Sequence, residues 1–352
     1  MFRPTRELNV AVVGATGMVG QEMLRVLEQR KFPVASLKAL ASERSAGKEL
    51  RCNGSTVTVE TLGQRSFDGV DIALFSAGSG VSRIYAPIAS EAGALVIDNS
   101  SAWRMQEDVP LVVPEVNAED IRDSEGIIAN PNCCAIPLTV VLDRLRNAAG
   151  LERVVVATYQ SASGAGRALV DELMSQTRDV AAGRAPEPQV YPHQLAQNVV
   201  PGGWSAAHDG YNEEEIKIIN ETRKILHDPD LRVAVTCVRV PVPIGHGEAV
   251  FVETERELSI DEVRNMLREA EGVIVMDGPG FDDYPTPAAV AGTDDVYVGR
   301  IRKDLSASRG LALWIVSDNL RKGAALNAVQ IAERALEMGV LSTVQMGVVR
   351  NG

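Results

Sequence analysis

Aromatic side chains are scarce: Phe, Trp and Tyr together make up 4% of the 352 residues. A surface that binds single-stranded nucleic acid by base stacking needs more of them. Positive charge is also short, with 35 Lys and Arg against 47 Asp and Glu and a formal net charge of -12. That balance argues against nucleic-acid and anionic-membrane partners, although a local group of arginines can still hold a small anion. There are only four cysteines: Cys52, Cys133, Cys134 and Cys237. No Cys-x-x-Cys pair occurs and adjacent cysteines rarely bridge each other. Neither a disulfide framework nor a zinc site is therefore indicated, and a reducing compartment is expected. No apolar run reaches the roughly 20 residues that a membrane helix needs. The opening "MFRPTRELNVAVVGATG" lacks the apolar core and cleavage site of a signal peptide. A cytoplasmic location is the expectation. Internal repeats and low-complexity tracts are absent as well.

What is there is ordinary globular material, 45% hydrophobic and 23% charged. The length favours two domains over one core. In the first third, short apolar runs such as "LNVAVVG", "SLKALAS", "VDIALFSAG" and "ALVIDNSS" alternate with helical spacing, as in "MVGQEMLRVLEQR" and "VSRIYAPIASEAG". This predicts a parallel sheet covered by helices on both faces. Longer β-branched runs follow: "RVVVATYQSASG", "LRVAVTCVRVPV", "GEAVFVETERE", "DVYVGRIRKD" and "GLALWIVSDN". They predict an α+β domain with a mostly antiparallel sheet. Between them, residues 185–212 form a long excursion rich in Pro, Gly and His without a clear period, and such excursions are often functional.

Four sets of residues could carry chemistry. "VVGATGMVG" spaces Gly14, Gly17 and Gly20 as G-x-x-G-x-x-G between a strand and a helix. There a backbone can approach a pyrophosphate and a helix N-terminus can face it; the alternative is a tight turn with nothing bound. After the second strand, Arg44 between Ser42 and Ser45 suits the 2′-phosphate of NADP, while Glu43 suits a free 2′-hydroxyl. Cys133 follows Asn-Pro-Asn at the start of the helical stretch "AIPLTVVLDRLRNAA", where the helix N-terminus and nearby cations lower a thiol pKa. Position alone leaves nucleophile and buried core residue open. Arg104, Lys217 and Arg239 are cations that could equally lie on the surface, and Glu214 and Lys217 share a helix face. His246, in a turn between glycines after a strand, suits acid–base work.

Taken together, "VVGATGMVG", "SERSAGK", "SAG", "DNSSAWR", "PNC", "TYQSASGAG", "NEEEIK", "VRVPVPIGH", "GRIRKD" and "SDNLRKGAALNAVQIAE" resemble the aspartate-semialdehyde dehydrogenase family, in order and over nearly the whole chain. The resemblance implies an α/β fold. An N-terminal Rossmann-type dinucleotide-binding domain (residues 1–132 and 324–352) joins an α+β catalytic and dimerisation domain (133–323). It implies NADP as cofactor, held by Gly14, Thr16, Gly17, Met18, Val19, Ser42, Arg44, Ser45, Ser76, Gly78, Ser163, Gly164 and Asn319. By the same resemblance Cys133 is the nucleophile, Gln160 orients the reacting groups and His246 is the acid–base. Arg239 clamps the substrate carboxylate, Glu214 takes the substrate ammonium, and Arg104 and Lys217 bind phosphate. Cys134 stands where the family commonly has Ser or Thr and is expected to pack on the first helical turn.

The implied reaction is NADPH-dependent reductive dephosphorylation of L-4-aspartyl phosphate to L-aspartate 4-semialdehyde through a cysteine thioester, in lysine, threonine, methionine and diaminopimelate biosynthesis. The implied assembly is at least a homodimer, with a tetramer of paired dimers as the larger alternative. Two departures stand out: Glu43 in the cofactor loop, and "PGGWSAAHDG", which matches no family pattern. Competing readings are another thiolate acyl-phosphate reductase or a non-catalytic binding protein on the same fold. The Cys-Thr-Thr-Asn and His-Pro-Gly-Cys motifs of two such reductase classes are absent, and a binding protein should have lost Cys133, Gln160 or His246. A metal-dependent enzyme finds no ligand spacing to support it.

Overall fold

The structure, a computed structural model, describes residues 7–341 apart from 53 and 281. It falls into two compact units, one from residues 1–131 and 324–352 and the other from 132–323.

The first unit runs β1 (Leu8–Val13), α1 (Met18–Gln29), β2 (Val34–Ala41), β3 (Glu49–Cys52), β4 (Ser55–Thr61), β5 (Ile72–Phe75), α2 (Ser79–Glu91), β6 (Leu95–Asp98), α3 (Pro114–Asn117) and β7 (Ile127–Ala129). Its sheet has the order β3-β4-β2-β1-β5-β6-β7. All neighbours are parallel except the β3–β4 pair. Every residue of β5 and β6 is buried, which is why these strands are unbroken apolar runs rather than alternating ones. Sequence pattern gave no sign of β3 and β4. Their residues are largely exposed and polar, so no apolar run marks them.

The second unit runs α4 (Ala135–Ala149), β8 (Arg153–Gln160), α5 (Arg167–Ala181), α6 (Glu213–Ile225), β9 (Arg232–Arg239), β10 (His246–Glu253), α7 (Ile260–Arg268), β11 (Val273–Val275), α8 (Pro287–Val290), β12 (Val296–Lys303) and β13 (Gly310–Ser317). The sheet order is β11-β12-β13-β10-β8-β9. Its centre is antiparallel, with parallel pairs only at β8–β9 and β11–β12. Helices α4, α6 and α7 pack on the sheet. On β8, Thr158 and Gln160 are buried while Tyr159 between them is exposed, as is Phe251 on β10. Successive strand residues point to opposite faces, so Tyr159 and Phe251 share the face opposite the buried Thr158 and Gln160.

After β13 comes α9 (Leu326–Glu337), which is part of the first unit. Its Leu326, Val329, Ile331 and Ala332 are buried in one core with Val10, Val12, Met23 and Leu27. That periodicity explains why a C-terminal helix seals a sheet laid down some 300 residues earlier. Among the described residues no helix is long and apolar enough to cross a membrane.

Candidate active site

In the first unit β1 is the point where strand order reverses, with β2 on one side and β5 on the other. Open α/β sheets bind ligands in the crevice at such a point. Gly14 directly follows β1 with φ +81°, and a Cβ there would lie 2.6 Å from the Ser76 carbonyl oxygen. Only glycine fits. Gly17 then starts α1 without a side-chain cap or an acidic residue in the first turn. Gly78 starts α2 in the same way. Uncapped amide groups at a helix N-terminus suit a pyrophosphate. Thr16, Met18, Val19 and Ser76 are half-buried around these turns. Ser42, Glu43 and Arg44 are exposed after β2 and Ser45 is half-buried, on a single 3-10 turn. This unit also holds Arg104, buried, whose Nε donates to the Asn130 carbonyl (2.9 Å) and Nη2 to the Asn99 carbonyl (2.7 Å).

The second unit gathers Cys133, Gln160, Glu214, Lys217, Arg239, His246, Ser163, Gly164 and Asn319. Asn132 shapes the nucleophile turn. Its side-chain oxygen accepts from the backbone N–H of Cys134 (2.8 Å) and Ala135 (3.4 Å), where α4 begins. Its own backbone N–H donates to Glu221 (2.5 Å) and its Nδ2 to Glu214 (2.9 Å). The turn is thereby fastened to α6. Glu214 also accepts from Gln160 Nε2 (3.1 Å) and lies 3.8 Å from Lys217 Nζ.

Cys133 is half-buried and Cys134 fully buried. Their sulfurs and a His246 ring nitrogen all lie within 4.8 Å of one another. His246 is the first residue of β10 and is 1% exposed. This corrects the expectation of a loop histidine: pairing of β10 with Ser317 of β13 extends the strand up to it. Its Nδ1 accepts from the Ser161 backbone N–H (3.0 Å). The neutral ring therefore carries its proton on Nε2, which is buried and has no hydrogen-bond partner among the described residues, in a ring that lies close to both sulfurs. Two thiols and an imidazole can also ligate a metal, but a ring protonated on Nε2 suits proton chemistry at sulfur better.

The Cys133 thiol is held well below its ordinary range. The main cause is a hydrogen bond from Cys134, opposed by burial and helped by His246. The direction matches the expectation from sequence, but the cause does not. A neighbouring thiol and an imidazole lead, ahead of any arginine or lysine. Cys134 is correspondingly pushed far up, first by burial and then by the same hydrogen bond, so it does more than pack. Behind it Glu248 is 1% exposed. Burial, then the charge of Cys133, holds its carboxyl well above the usual range.

Arg239 closes β9 with 2% exposure, and its Nη1 donates to the Ser161 carbonyl (2.6 Å). Gly164 lies between the two groups: a Cβ there would sit 3.0 Å from Arg239 Nη1 and 3.2 Å from His246 Nε2. A glycine here keeps open the space that both side chains face. Asn319 is buried and accepts from Ser161 Oγ (3.1 Å), Ser163 Oγ (3.1 Å) and the Gly245 N–H (2.9 Å). It braces the turns on either side of His246.

Sequence reasoning missed Asn132, Ser161 and Glu248. An Asn three residues before the first residue of a helix is a recognisable signal for a side chain that accepts from the first helical amides. Ser161 gives no signal, because its two roles depend on strands that meet only in the fold. Glu248, an acid inside a buried apolar strand, was visible as an anomaly.

Comparison with known proteins gives a consistent answer. Residues 9–124 match the family model described as semialdehyde dehydrogenase, NAD binding domain, and residues 142–322 that of semialdehyde dehydrogenase, dimerisation domain. The chain is 52% identical to aspartate-semialdehyde dehydrogenase of Aquifex aeolicus, over 94% of this chain and 99% of that protein. It is 49% identical to the Bacillus subtilis protein of the same name, over 96% and 99%. It is also similar to the crystal structure of aspartate semialdehyde dehydrogenase II from Vibrio cholerae complexed with ASA. That similarity has a TM-score of 0.92 and 48% identity, and covers 95% of this chain and 99% of that one.

Proposed function

The chain belongs to the aspartate-semialdehyde dehydrogenase family, and from that premise we propose how its own residues divide the work. It is an NADP-dependent, phosphorylating aldehyde oxidoreductase that converts L-4-aspartyl phosphate to L-aspartate 4-semialdehyde in amino-acid biosynthesis. NADPH supplies the hydride. The observation that carries our assignment of roles is the Cys133–Cys134–His246 cluster, an acidic thiol beside an imidazole whose proton faces it.

Cys133 is the nucleophile. Its thiolate attacks the acyl carbon, the bond from that carbon to the phosphate oxygen breaks, and a thioester forms as phosphate leaves. His246 Nε2–H donates to the carbonyl oxygen as negative charge develops on it. After reduction the same N–H holds the alkoxide. As the alkoxide electron pair re-forms the C=O bond, the C–S bond breaks and the thiolate returns. Gln160, tied to Glu214, orients the reacting groups. Glu214 receives the substrate ammonium, and Arg239 pairs with the substrate carboxylate, a bidentate task that suits a planar guanidinium. Arg104 and Lys217 bind the phosphoryl group. Gly14, Gly17 and Gly78 with the turns around them, together with Ser42, Arg44 and Ser45, hold the dinucleotide, and Ser163, Gly164 and Asn319 face its nicotinamide end. Residues 1–132 with 324–352 are assigned as the cofactor domain and 133–323 as the catalytic and dimerisation domain, one residue from the division between the compact units.

The protein works as a homodimer, and we place the interface on the face of the second sheet that exposes Tyr159 and Phe251. The acidic balance speaks against nucleic-acid and anionic-membrane partners, and cysteines without a disulfide framework support a cytoplasmic location.

The test is turnover of aspartate semialdehyde with phosphate and NADP, compared with glyceraldehyde 3-phosphate and N-acetylglutamate semialdehyde. We expect turnover of the first alone. Preference for either of the others would reassign the chain to a different acyl-phosphate reduction.

A further inference from the structure

The excursion 185–212 between α5 and α6 supplies none of the groups assigned to the reaction, yet it is firmly held. Glu172 and Gln176 lie one turn apart on α5, both buried. Glu172 accepts from the backbone N–H groups of Gln189 (2.8 Å), Val190 and Tyr191 (3.4 Å). Gln176 accepts from those of Leu195 (2.8 Å) and Ala196 (3.1 Å). An irregular segment has no ladder to satisfy its amides, and here two side chains of one helix take that part. The segment then reaches Arg239. Val200 and Arg239 exchange both backbone hydrogen bonds, at 2.8 and 2.9 Å. The Trp204 ring lies 4.7 Å from the guanidinium carbon and the Tyr191 ring 5.8 Å from it. Tyr191 is itself tied down through its hydroxyl, which donates to the Gly202 carbonyl.

Arg239 is thus constrained in three ways: backbone by Val200, Nη1 by the Ser161 carbonyl, and ring contacts from Trp204 and Tyr191. Its Nε is buried and has no partner among the described residues. A buried N–H of a charged group left without an acceptor is costly, so it points to an acceptor that arrives with the ligand. Aromatic faces attract a guanidinium and stack on its plane, and they lose little entropy in doing so. Orientation is therefore established before the ligand binds.

We propose that Trp204 and Tyr191 are positioning residues that fix the plane of the Arg239 guanidinium, so that the excursion selects substrates bearing a carboxylate. The inference rests on the assignment of Arg239 to the substrate carboxylate.

The experiment compares full-length Trp204→Ala and Trp204→Phe with wild type. In Trp204→Ala the KM for aspartate semialdehyde is expected to rise about ten-fold while kcat stays within about two-fold. The KM values for phosphate and NADP stay unchanged, and Trp204→Phe restores the wild-type values. A short aliphatic aldehyde without a carboxylate is expected to react equally with wild type and Trp204→Ala. A fall in kcat with KM unchanged, or an equal loss on both aldehydes, would overturn the proposal. Binding of L-aspartate, read by calorimetry, separates this from the assignment of the reaction. If wild type turns over no aspartate semialdehyde but Trp204→Ala still binds L-aspartate more weakly, the clamp stands and the reaction falls. Equal binding overturns the clamp.

Discussion

Cys133 and Cys134 are adjacent in the chain, and their acidities move apart: the hydrogen bond from Cys134 lowers the first, while burial, and then the same hydrogen bond, raises the second. The donor must keep its proton for the acceptor to lose its own. A hydrogen bond to a charged group contributes about 1.5–3 kcal/mol, and one pKa unit corresponds to about 1.4 kcal/mol. Cys134→Ala should therefore move the midpoint of Cys133 alkylation up by about one to two units. Cys134→Ser keeps a donor and should hold it near the wild-type position. Since the thiolate is the reactive form, wild-type alkylation falls off as pH drops through the lowered Cys133 pKa, and Cys134→Ala falls off earlier on the same descent. An unchanged midpoint in Cys134→Ala would remove the donor role. None of this pairing was readable from the sequence, where Cys134 is one small residue on a first helical turn. The donor geometry depends on Asn132 capping α4, and that becomes visible only with side chains in place.

At the scale of the element, strand β10 carries both His246 and Glu248 on its buried face, two residues apart. Its register puts Glu248 opposite Thr158 of β8 and Ile315 of β13. Burial first, and the Cys133 charge second, keep the Glu248 carboxyl protonated above its ordinary range. The sign of the consequence follows from linkage. Above the unfolded carboxyl pKa of about 4.3, the unfolded chain has released a proton that the folded chain still holds. Stability then falls as pH rises, by up to about 1.4 kcal/mol per unit, until the folded pKa is reached. Glu248→Gln removes that slope. In urea unfolding, its stability relative to wild type should grow between about pH 5 and pH 7; a constant difference across that range would mean that Glu248 is ionised in the fold. The strand itself was legible as a β-branched run. Its first residue was not, because a Gly-His-Gly stretch reads as a turn until pairing with Ser317 extends the ladder.

At the scale of the whole chain, the two units were legible because their patterns differ. Alternating runs and helices belong to a parallel sheet, and long alternating strands to an antiparallel one. The apolar stripe of α9 marked it as a helix with one buried face, but its return to the first unit was implied only by the family resemblance, because the partner core of Val10, Val12, Met23 and Leu27 lies far away in sequence. The Gly14 turn could be read from the spacing of Gly14, Gly17 and Gly20 between a strand and a helix, and its positive φ and close approach to Ser76 give the physical reason for that glycine. The excursion 185–212 could not, because its contacts with α5 and Arg239 follow no period. The homodimer interface gives a prediction at this scale. Phe251 is exposed on the open sheet face, and Phe251→Glu places like charges of two subunits together in a desolvated interface. Sedimentation should shift from dimer toward monomer. A dimer that persists unchanged would move the interface to another surface.

The central claim is that Cys133 carries the acyl group, and one measurement addresses it directly. The enzyme is mixed with aspartate semialdehyde and NADP without phosphate, the reduced nicotinamide is followed by absorbance, and the protein is digested for mass spectrometry. The account predicts a burst of about one equivalent per site followed by arrest. It also predicts an acyl adduct on the peptide at Cys133 and none at Cys134. An adduct on Cys134, or steady turnover with no adduct at either cysteine, would contradict it.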